Sequence, residues 1–312
     1  MYIAEHEVRA VLTYEALIPA IRQGLIDYSA GRVQQPPRMV LRAGDVEGSH
    51  DGWFAVMPVV AGDVMGVKTV TFFPANAGLG LHTHMAVIEL LSRSTGEPLA
   101  VMDGRLITEM RTAAVSAVAL DALTATGEQS PRSLGILGSG VQARSHIQAL
   151  RIVRPGLKDI RIWSRNPANA ESLAAEVGAR AVSIEEAAAA DVVLTATASP
   201  HPVLQGRWLA PHALVLAVGA VGPQLRELDD RAMLGAWVVA ESRDGVEREA
   251  GDVVLSGASV QAEIGDLLAM PSESVVPHGS RVVFKSVGMA IEDLVAARLV
   301  WQAHTAYKAS NP

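Results

Sequence analysis

The fold is decided by the stretch Ser133-Leu-Gly-Ile-Leu-Gly-Ser-Gly-Val-Gln-Ala143. In it, an apolar strand is followed by the turn Gly138-Ser-Gly140, and a helical pattern then runs from Val141 through Leu150. One glycine permits the tight turn, and the second lets the backbone approach a pyrophosphate. The small Ala143 lets the helix pack closely on its strand, and the free amides of the helix face the phosphates. The pattern therefore predicts a dinucleotide-binding turn.

The chain after Thr112 alternates between short apolar segments and helical patterns. The predicted strands are 133–137, 160–163, 181–182, 192–195, 214–218 and 237–240, and the predicted helices are 112–124, 141–153, 167–177 and 184–189. Such alternation is typical of a parallel sheet that is covered by helices on both faces. We therefore predict an α/β protein with a Rossmann-type doubly wound parallel sheet.

The chain before Thr112 follows a different pattern. Thr13 is placed to cap a helix over about residues 14–30. Strand-like segments then occupy 39–42, 53–60, 64–73, 85–92, 99–102 and 105–108. Asp103-Gly104 lies between the last two segments and is a two-residue hairpin signal. These features predict an α+β domain with an antiparallel-rich sheet, and a final helix from Gly288 closes the chain.

Composition excludes several classes of function. The 312 residues are 49% hydrophobic and 19% charged, which is typical of a globular protein with apolar surface left for a subunit interface. The net charge of −7 argues against a nucleic-acid partner. The chain has no cysteine, which excludes disulfides and thiol chemistry. No signal peptide or membrane-spanning run is visible, so we expect a cytoplasmic protein without a membrane partner.

The end of the second strand of the dinucleotide unit indicates the cofactor. An acidic residue at that point bonds the ribose 2′-hydroxyl and selects NAD, whereas a nearby arginine accommodates a 2′-phosphate. Here the strand ends in Trp163-Ser164-Arg165-Asn166 with no carboxylate. A guanidinium gives charge-assisted bonds to phosphate. The sequence therefore favours NADPH, with NADH as the weaker alternative, unless Arg165 is an ordinary solvated loop residue.

Three cations in the first domain are candidate anion ligands. Arg38 follows two prolines, Lys68 lies inside the apolar segment 64–73, and Arg111 precedes the Ala-rich helix. A cation flanked by aliphatic residues is costly unless it is paired. Each of them alone is also what a salt-bridged cation or a cation on an edge strand would look like. Together, in an enzyme that uses a nicotinamide, they suggest binding of an amino-acid or keto-acid carboxylate.

The histidines His82 and His84 do not predict a metal site. They are two residues apart, which places both on one face of a strand, but no third ligand is evident nearby. We therefore expect no metal, and an ordinary loop role for His82.

The chain resembles the ornithine cyclodeaminase/μ-crystallin family over nearly its whole length. The matching elements, in order, are Pro37-Arg38, Met57-Pro58, Lys68-Thr-Val70, Ala100-Val-Met-Asp-Gly104, Thr108-Glu-Met-Arg-Thr-Ala-Ala-Val-Ser116, Gly138-Ser-Gly-Val-Gln-Ala143, Ala217-Val-Gly219, Arg226-Glu-Leu-Asp229, Gly251-Asp-Val-Val-Leu-Ser-Gly-Ala258 and Phe284-Lys-Ser-Val-Gly-Met-Ala-Ile-Glu-Asp293. The resemblance implies a substrate-binding and dimerisation domain over 1–112, joined by the C-terminal helix 288–312. It also implies an NAD(P)-binding domain over 113–287 and a homodimer.

The resemblance also implies the site residues. Arg38, Lys68 and Arg111 are expected to surround the substrate carboxylate and the reacting carbon, as substrate-binding and catalytic residues. The cofactor contacts are expected at Thr83, His84, Gly138, Ser139, Gly140, Val141, Gln142, Ser164, Arg165, Asn166, Thr197, Val218 and Ser286. For His84 this means a position near the nicotinamide.

One departure separates the chemistries within that family. Its cyclodeaminases carry an aspartate just after the Ala-Val-Gly strand end, where Val221 stands in this sequence. Valine can neither transfer a proton nor pair with an ammonium. Together with the Ser164-Arg165 loop, which differs from an NAD-type strand end, this makes the chain similar to the ketimine-reductase branch.

The resemblance thus predicts an NADPH-dependent reductase of cyclic imino acids. The expected substrates are Δ1-pyrroline-2-carboxylate, giving L-proline, and Δ1-piperideine-2-carboxylate, giving L-pipecolate. Arg38 and Arg111 would hold the carboxylate, and Lys68 would either organise the proton on the ring nitrogen or bind the carboxylate only. The alternatives are an alanine dehydrogenase, an ornithine or lysine cyclodeaminase, and a ligand-binding protein without enzymatic activity.

Overall fold

The computed structural model describes residues 1–44, 51–124, 126–270 and 279–310. The chain divides into two compact units. The N-terminal unit combines Met1–Arg111 with Met289–Pro312, and the C-terminal unit comprises Thr112–Gly288. The last two residues of the predicted C-terminal segment lie outside the described residues. The substrate-binding and cofactor-binding roles of the two domains stay predictions.

The N-terminal unit contains a six-stranded sheet in the order β1-β6-β5-β4-β3-β2. From residue 1 to the helix in which the chain passes into the C-terminal unit, the elements are β1 (Tyr2–Ile3), α1 (Glu5–Val11), α2 (Tyr14–Ser29), β2 (Met39–Arg42), β3 (Trp53–Ala61), β4 (Val64–Phe72), a 3-10 helix (Pro74–Leu79), β5 (His84–Ser92), β6 (Pro98–Asp103) and α3 (Arg105–Leu123). All neighbouring pairs from β2 to β6 are antiparallel, whereas β1 pairs in parallel with β6. The sequence pattern did not predict β1 or α1.

The predicted hairpin at Asp103-Gly104 and the predicted strand over 105–108 are wrong. The Arg105 amide donates a hydrogen bond of 2.9 Å to Asp103 Oδ1, and the Thr108 amide donates one of 2.9 Å to the Gly104 carbonyl. This Asp-Gly pair therefore starts a helix and does not reverse a strand. Helix α3 includes both the predicted strand and most of the predicted helix over 112–124.

The C-terminal unit is built on an eight-stranded sheet. Its elements are a 3-10 helix (Gly127–Gln129), β7 (Ser133–Leu137), α4 (Val141–Val153), β8 (Asp159–Trp163), α5 (Pro167–Val177), β9 (Arg180–Ala181), α6 (Ile184–Ala188), β10 (Val192–Thr195), β11 (Leu214–Ala217), α7 (Asp230–Leu234), β12 (Trp237–Ala240), α8 (Arg243–Glu249), α9 (Gly251–Val254), β13 (Ala262–Glu263), α10 (Ile264–Ala269) and β14 (Val282–Lys285). The final helix, α11 (Ala290–Ser310), belongs to the N-terminal unit.

The strand order of this sheet is that of a dinucleotide-binding fold. The full order is β13-β12-β14-β11-β10-β7-β8-β9, and each neighbouring pair of these described strands is parallel. Read from β9 to β11, the first five strands follow the 3-2-1-4-5 part of the 3-2-1-4-5-6 order of Rossmann folds, and β14, which comes later in the chain than β12 and β13, takes the sixth place. The order reverses between β7 and β10, and such folds bind their ligand at the carboxyl ends of the strands around that point. The predicted fold class is confirmed.

Two features of the N-terminal unit determine where its charged residues lie. Strand β4 buries every second side chain, and Lys68 occupies one of these buried positions. Helix α11 packs on β3, β4 and β5 and also against α2. As a result, the acidic residues in the first turn of α11, Glu292 and Asp293, are placed against the sheet in the interior of this unit.

Candidate active site

The turn between β7 and α4 has the backbone that phosphate binding requires. Gly138 has φ of 125°, and a Cβ at this position would lie only 2.5 Å from the Ala196 carbonyl oxygen. Gly140 caps α4 without a side chain, and no described atom lies within 4 Å of where its Cβ would be. The first amides of α4 are thus open to an anion, and the helix dipole favours negative charge there. We call residues 138–142 the phosphate turn.

The side chains around the phosphate turn also fit a dinucleotide. Ser139 Oγ donates a hydrogen bond of 2.9 Å to Ser164 Oγ, which joins the turn to the end of β8. Val141 is 50% exposed, and Gln142 Oε1 is a buried acceptor with no hydrogen-bond partner among the described residues. The open backbone and the unused acceptor are what a bound nucleotide would engage.

The loop after β8 combines a structural residue with an exposed cation. Asn166 Oδ1 accepts a hydrogen bond of 3.2 Å from the Ala168 amide and so caps α5. Arg165 is exposed, and within the described part of the chain it has no ion-pair partner. A guanidinium without a counter-ion at this strand end is the arrangement that accommodates a 2′-phosphate.

The remaining predicted cofactor residues of the C-terminal unit follow adjacent strands. Thr197 comes two residues after β10, Val218 follows β11, and Ser286 follows β14. Val218 and Ser286 are buried, and their amides donate to the carbonyls of Thr195 and Ala217. The three residues therefore lie at the carboxyl ends of neighbouring strands, where the second half of a dinucleotide binds in this type of fold.

The predicted substrate residues lie in the N-terminal unit, and two of them, Lys68 and Arg111, are joined by two acidic residues. Lys68 Nζ lies 2.5 Å from Asp293 Oδ2, and Arg111 Nε lies 3.2 Å from Asp293 Oδ1. Arg111 Nη1 also donates a hydrogen bond of 2.7 Å to Glu292 Oε2. All four side chains are buried, and Asp293 bridges the two cations. We call these four residues, together with Arg38, the charged cluster.

Burial and neighbouring charge set the acidity of Lys68. Burial lowers the pKa of the Lys68 ammonium to about 8, and the positive charges of Arg111 and Arg38 act in the same direction. Asp293 opposes them by attracting the proton. An ammonium with a pKa this close to neutrality can exchange its proton during a reaction, which an ordinary lysine does poorly.

His84 and Thr83 stand at the start of β5, in the N-terminal unit. The His84 ring centroid lies 4.4 Å from that of Phe72, and its Nδ1 is 3.4 Å from Thr83 Oγ1. Although part of the His84 surface is open to solvent, local burial lowers its pKa to about 4, and the cations Lys68 and Arg111 add to the effect. His84 is therefore a neutral imidazole at neutral pH.

The structure brings some predicted residues together and adds others. Arg38 precedes β2, and its charge acts on Lys68, as does that of Arg111. Sequence reasoning missed Glu292 and Asp293, which form the counter-charges for these cations. The available signal was a pair of adjacent acids at the start of an otherwise apolar helix. Lys68 and Arg111 are thus salt-bridged, one of the alternatives that the sequence leaves open.

Two further observations concern ions and membranes. Within residues 1–44, 51–124, 126–270 and 279–310, no group of three or more histidine and acidic residues is arranged to hold a metal ion. His82 lies in the loop before β5, and its carbonyl accepts a hydrogen bond of 2.9 Å from Asn76. Over the same residues, no helix combines the length and the apolar character that crossing a membrane demands.

The strand order and the phosphate turn define a dinucleotide-binding protein of the Rossmann class. More specifically, the chain belongs to the ornithine cyclodeaminase/mu-crystallin family, whose model matches residues 1–308. The predicted family is confirmed. A curated relative, ketimine reductase mu-crystallin of Mus musculus, is 39% identical, and the match covers 98% of each chain.

Two solved structures are similar over the whole chain. The Δ1-pyrroline-2-carboxylate reductase of Thermococcus litoralis, in complex with NADH and L-proline, matches with a TM-score of 0.91 and 28% identity and covers 99% of this chain and 98% of that one. An archaeal alanine dehydrogenase dimer with bound NAD matches with a TM-score of 0.90 and 27% identity, over 99% of this chain and 97% of that one. The predicted enzyme class, an NAD(P)H-dependent oxidoreductase, is confirmed by these relatives.

Proposed function

We propose that this protein uses NADPH to reduce the cyclic imino acids Δ1-pyrroline-2-carboxylate and Δ1-piperideine-2-carboxylate, giving L-proline and L-pipecolate. The observation that carries the proposal is the buried Lys68–Asp293 pair beside Arg111, with the pKa of Lys68 lowered to about 8. It places two cations, Lys68 and Arg111, side by side, and the lysine carries a proton that can be exchanged. The names of the ketimine and pyrroline-carboxylate reductases among the relatives support the same chemistry.

The residues of the charged cluster take separate roles in this proposal. Arg38 and Arg111 bind the substrate carboxylate through charge-assisted hydrogen bonds. Lys68 keeps a proton on the ring nitrogen, because an iminium accepts a hydride far more readily than a neutral imine does. A nicotinamide cofactor held at the phosphate turn would supply the hydride for C2, and the nitrogen would keep its proton. Asp293 holds Lys68 and Arg111 in fixed positions for these tasks.

The preference for NADPH over NADH is supported by the loop after β8. Arg165 is exposed and has no ion-pair partner among the described residues, and Ser164 is linked to the phosphate turn through Ser139. Ser164 and Asn166 add neutral hydrogen-bonding groups beside this cation. The strand end has no carboxylate to repel a 2′-phosphate.

The environment of Val221 supports a reductase over a cyclodeaminase. Val221 follows β11, at the position where the family's cyclodeaminases carry an aspartate. Its side chain packs against the hydrophobic core of the C-terminal unit. Valine cannot exchange a proton, so proton transfer in this proposal depends on Lys68.

A second candidate function is reductive amination of pyruvate by ammonia. It is favoured by the similarity to the archaeal alanine dehydrogenase, which is nearly as strong as the similarity to the pyrroline-carboxylate reductase. The two reactions share the reduction of a carbon–nitrogen double bond next to a carboxylate. They differ in whether the nitrogen is already part of the substrate.

A homodimer through the open face of the six-stranded sheet is also proposed. Two of the side chains that alternate with the buried ones on β5 are apolar and exposed, Met85 at 43% and Val87 at 44%. A second copy is the proposed occupant because the alanine dehydrogenase relative is a dimer. Val87→Asp should halve the molar mass measured by light scattering, whereas Val254→Asp, at an equally exposed valine of the C-terminal unit, should not. An unchanged mass in both variants would contradict the proposed face.

The first experiment follows NADPH oxidation with each cyclic imine and, separately, with pyruvate plus ammonia. We expect rapid oxidation with both imines in the absence of ammonia. Dual activity is expected because one methylene of ring size is worth only about 1–3 kcal/mol of discrimination. Oxidation that requires pyruvate and ammonia would replace the proposal with the second candidate, and no oxidation in either arm would refute both.

A further inference from the structure

Glu227 is a fully buried carboxylate in the loop between β11 and α7. Its side chain accepts five hydrogen bonds. Oε1 accepts from the Thr197 amide at 2.6 Å and from Thr197 Oγ1 at 2.7 Å. Oε2 accepts from Thr195 Oγ1 at 2.8 Å, from the Gly219 amide at 2.8 Å and from the Ala220 amide at 3.3 Å. One side chain thus satisfies the donors of two separate loops.

The donors lie at the carboxyl ends of β10 and β11. Thr195 is the last residue of β10, and Gly219 follows β11 after Val218. These are the fourth and fifth strands of the Rossmann order, where the nicotinamide half of a dinucleotide binds. Two of the predicted cofactor contacts, Thr197 and Val218, belong to the segments that Glu227 ties together.

The atoms around Gly219, next to Glu227, are packed too closely to admit a side chain. A Cβ on Gly219 would lie 2.3 Å from the Thr197 carbonyl oxygen and 2.5 Å from Glu227 Oε1. Only glycine brings the two loops this close. The separation of the β10 and β11 loops is therefore fixed by direct contact with the carboxylate.

The arrangement requires a carboxylate and excludes an amide. Each oxygen of Glu227 faces at least one backbone N–H, and an N–H cannot accept a hydrogen bond. A carboxamide in either orientation would set its NH₂ group against an N–H. Burial raises the pKa of Glu227, and the nearby Lys285 ammonium opposes this effect.

Asp252 and Lys285 hold the Glu227 loop from the other side. Asp252 Oδ1 accepts from the amides of Glu227 at 2.7 Å and Leu228 at 2.9 Å. Lys285 Nζ pairs with Asp252 Oδ2 at 3.0 Å and donates to the Ala220 carbonyl at 3.0 Å. Lys285 is the last residue of β14, next to the predicted cofactor contact Ser286. Three adjacent strand ends are thereby linked.

We propose that Glu227 is a positioning residue for the nicotinamide half of the dinucleotide, because it fixes Thr197 and the Gly219-Ala220 turn that follows Val218. The inference rests on the proposed use of NAD(P)H, though not on the identity of the imine. Glu227 acts through these loops and does not itself contact the reacting atoms.

The test variant is Glu227→Gln in the full-length protein. Without nucleotide, hydrogen exchange at the amides of Thr197, Gly219 and Ala220 should become faster. NADPH titration by fluorescence should show about tenfold to hundredfold weaker binding, since small misplacements of contact groups carry losses of this size. Thr195→Val removes one donor and leaves the carboxylate in place. It should shift the dissociation constant in the same direction by less, and it keeps the test valid if the Gln variant does not fold.

Asp191→Asn is the matched control, because Asp191 lies at the amino ends of strands in the same sheet, opposite to the carboxyl ends near Glu227. Asp191 Oδ2 accepts from the Arg132 amide at 2.9 Å, the Ser133 amide at 3.0 Å and Ser133 Oγ at 2.9 Å. It joins the beginnings of β7 and β10, where no cofactor contact is predicted. The Asp191→Asn variant should lower the melting temperature and leave the NADPH dissociation constant unchanged.

Two results would overturn the inference. One is wild-type NADPH affinity in both Glu227→Gln and Thr195→Val. The other is an equal loss of affinity in Asp191→Asn, which would show a general effect of stability. A wild-type protein that binds NADPH and reduces neither imine would count against the proposed function alone, because the titration contains no imine.

Discussion

The phosphate turn and the charged cluster are built in opposite ways. The turn uses main-chain amides of one continuous segment, with glycines that let the backbone come close. The cluster uses side-chain charges from distant segments, since Asp293 lies 225 positions from Lys68 and 182 from Arg111. The turn should therefore be sensitive to added side-chain atoms, whereas the cluster should be sensitive to lost charges.

The largest effect is expected from Lys68→Met, which removes the charge and keeps a similar volume. Turnover should fall by about 10²–10⁴-fold, the usual contribution of a positioned acid or base. NADPH binding should be retained, because the predicted phosphate contacts belong to the other unit. Lys68→Arg is the control, since arginine keeps the charge but does not release a proton. Near-normal turnover in the Met variant would remove Lys68 from the mechanism.

Asp293→Asn should move the pH profile and lower stability. Asp293 raises the pKa of Lys68, whereas burial, Arg111 and Arg38 lower it. Without the Asp293 charge, the pKa falls below about 8, so the protonated form is lost at lower pH. The alkaline limb of kcat/KM should therefore shift to lower pH. Breaking the buried pair should also cost about 3–5 kcal/mol in the free energy of unfolding.

Glu292→Gln is the matched comparison for this pH shift. It removes a neighbouring buried charge that is bonded to Arg111 at 2.7 Å. Its cost in unfolding free energy should be similar, but the alkaline limb should move less. If both variants shift the alkaline limb equally, Asp293 does not raise the pKa of Lys68 more than Glu292 does.

Gly138→Ala tests the backbone of the phosphate turn. The methyl group would meet the Ala196 carbonyl at 2.5 Å, at a φ of 125° that L residues rarely adopt. Backbone strain alone is worth about 1–3 kcal/mol, so NADPH binding should weaken at least about tenfold. Ser139→Ala, one residue along, deletes a hydroxyl and should change the dissociation constant by only a few-fold. The opposite ranking would mean that side chains hold the phosphates.

The effect of Arg165→Ala should be confined to cofactor choice, measured as the ratio of kcat/KM for NADPH to that for NADH. Loss of a hydrogen bond to a charged group costs about 1.5–3 kcal/mol, so the ratio should fall by about tenfold to hundredfold. The efficiency with NADH is the internal control. Arg144→Ala, which removes an arginine already paired with Glu176 at 2.6 Å, should leave the ratio unchanged. An unchanged ratio in Arg165→Ala would make Arg165 a solvated loop residue.

The C-terminal unit was the more predictable part because its signals are local. The bounds of β7, α4, α5, β10 and β12 agree with the sequence pattern to the residue. Short apolar segments between helices have one arrangement that buries both faces of a sheet. The 3-2-1-4-5 part of the strand order also follows from the phosphate turn, because that motif belongs to a fold with a fixed order. The sixth place does not follow from it, because β14 occupies that place although β12 and β13 precede it in the chain.

The N-terminal unit showed where local signals fail. Asp103-Gly104 has the composition of a hairpin turn, yet Asp103 bonds to the Arg105 amide and starts α3. Arg105 is then held by Glu5 at 2.5 Å, a partner far away in the sequence. The importance of Asp293 was equally hidden, since it depends on α11 packing against β4. Glu227 was visible only as part of a matching motif, because its five donors come from two loops.

Helix α11 has a consequence for the order in which the protein is completed during synthesis. It supplies Glu292 and Asp293, so these two partners of Lys68 and Arg111 are made only after the whole C-terminal unit. At about 5–20 residues per second, synthesis of Thr112–Gly288 takes roughly ten to forty seconds. During that time, the nascent chain contains Lys68 and Arg111 but not yet Glu292 and Asp293. The first unit to leave the ribosome is therefore the last to be finished.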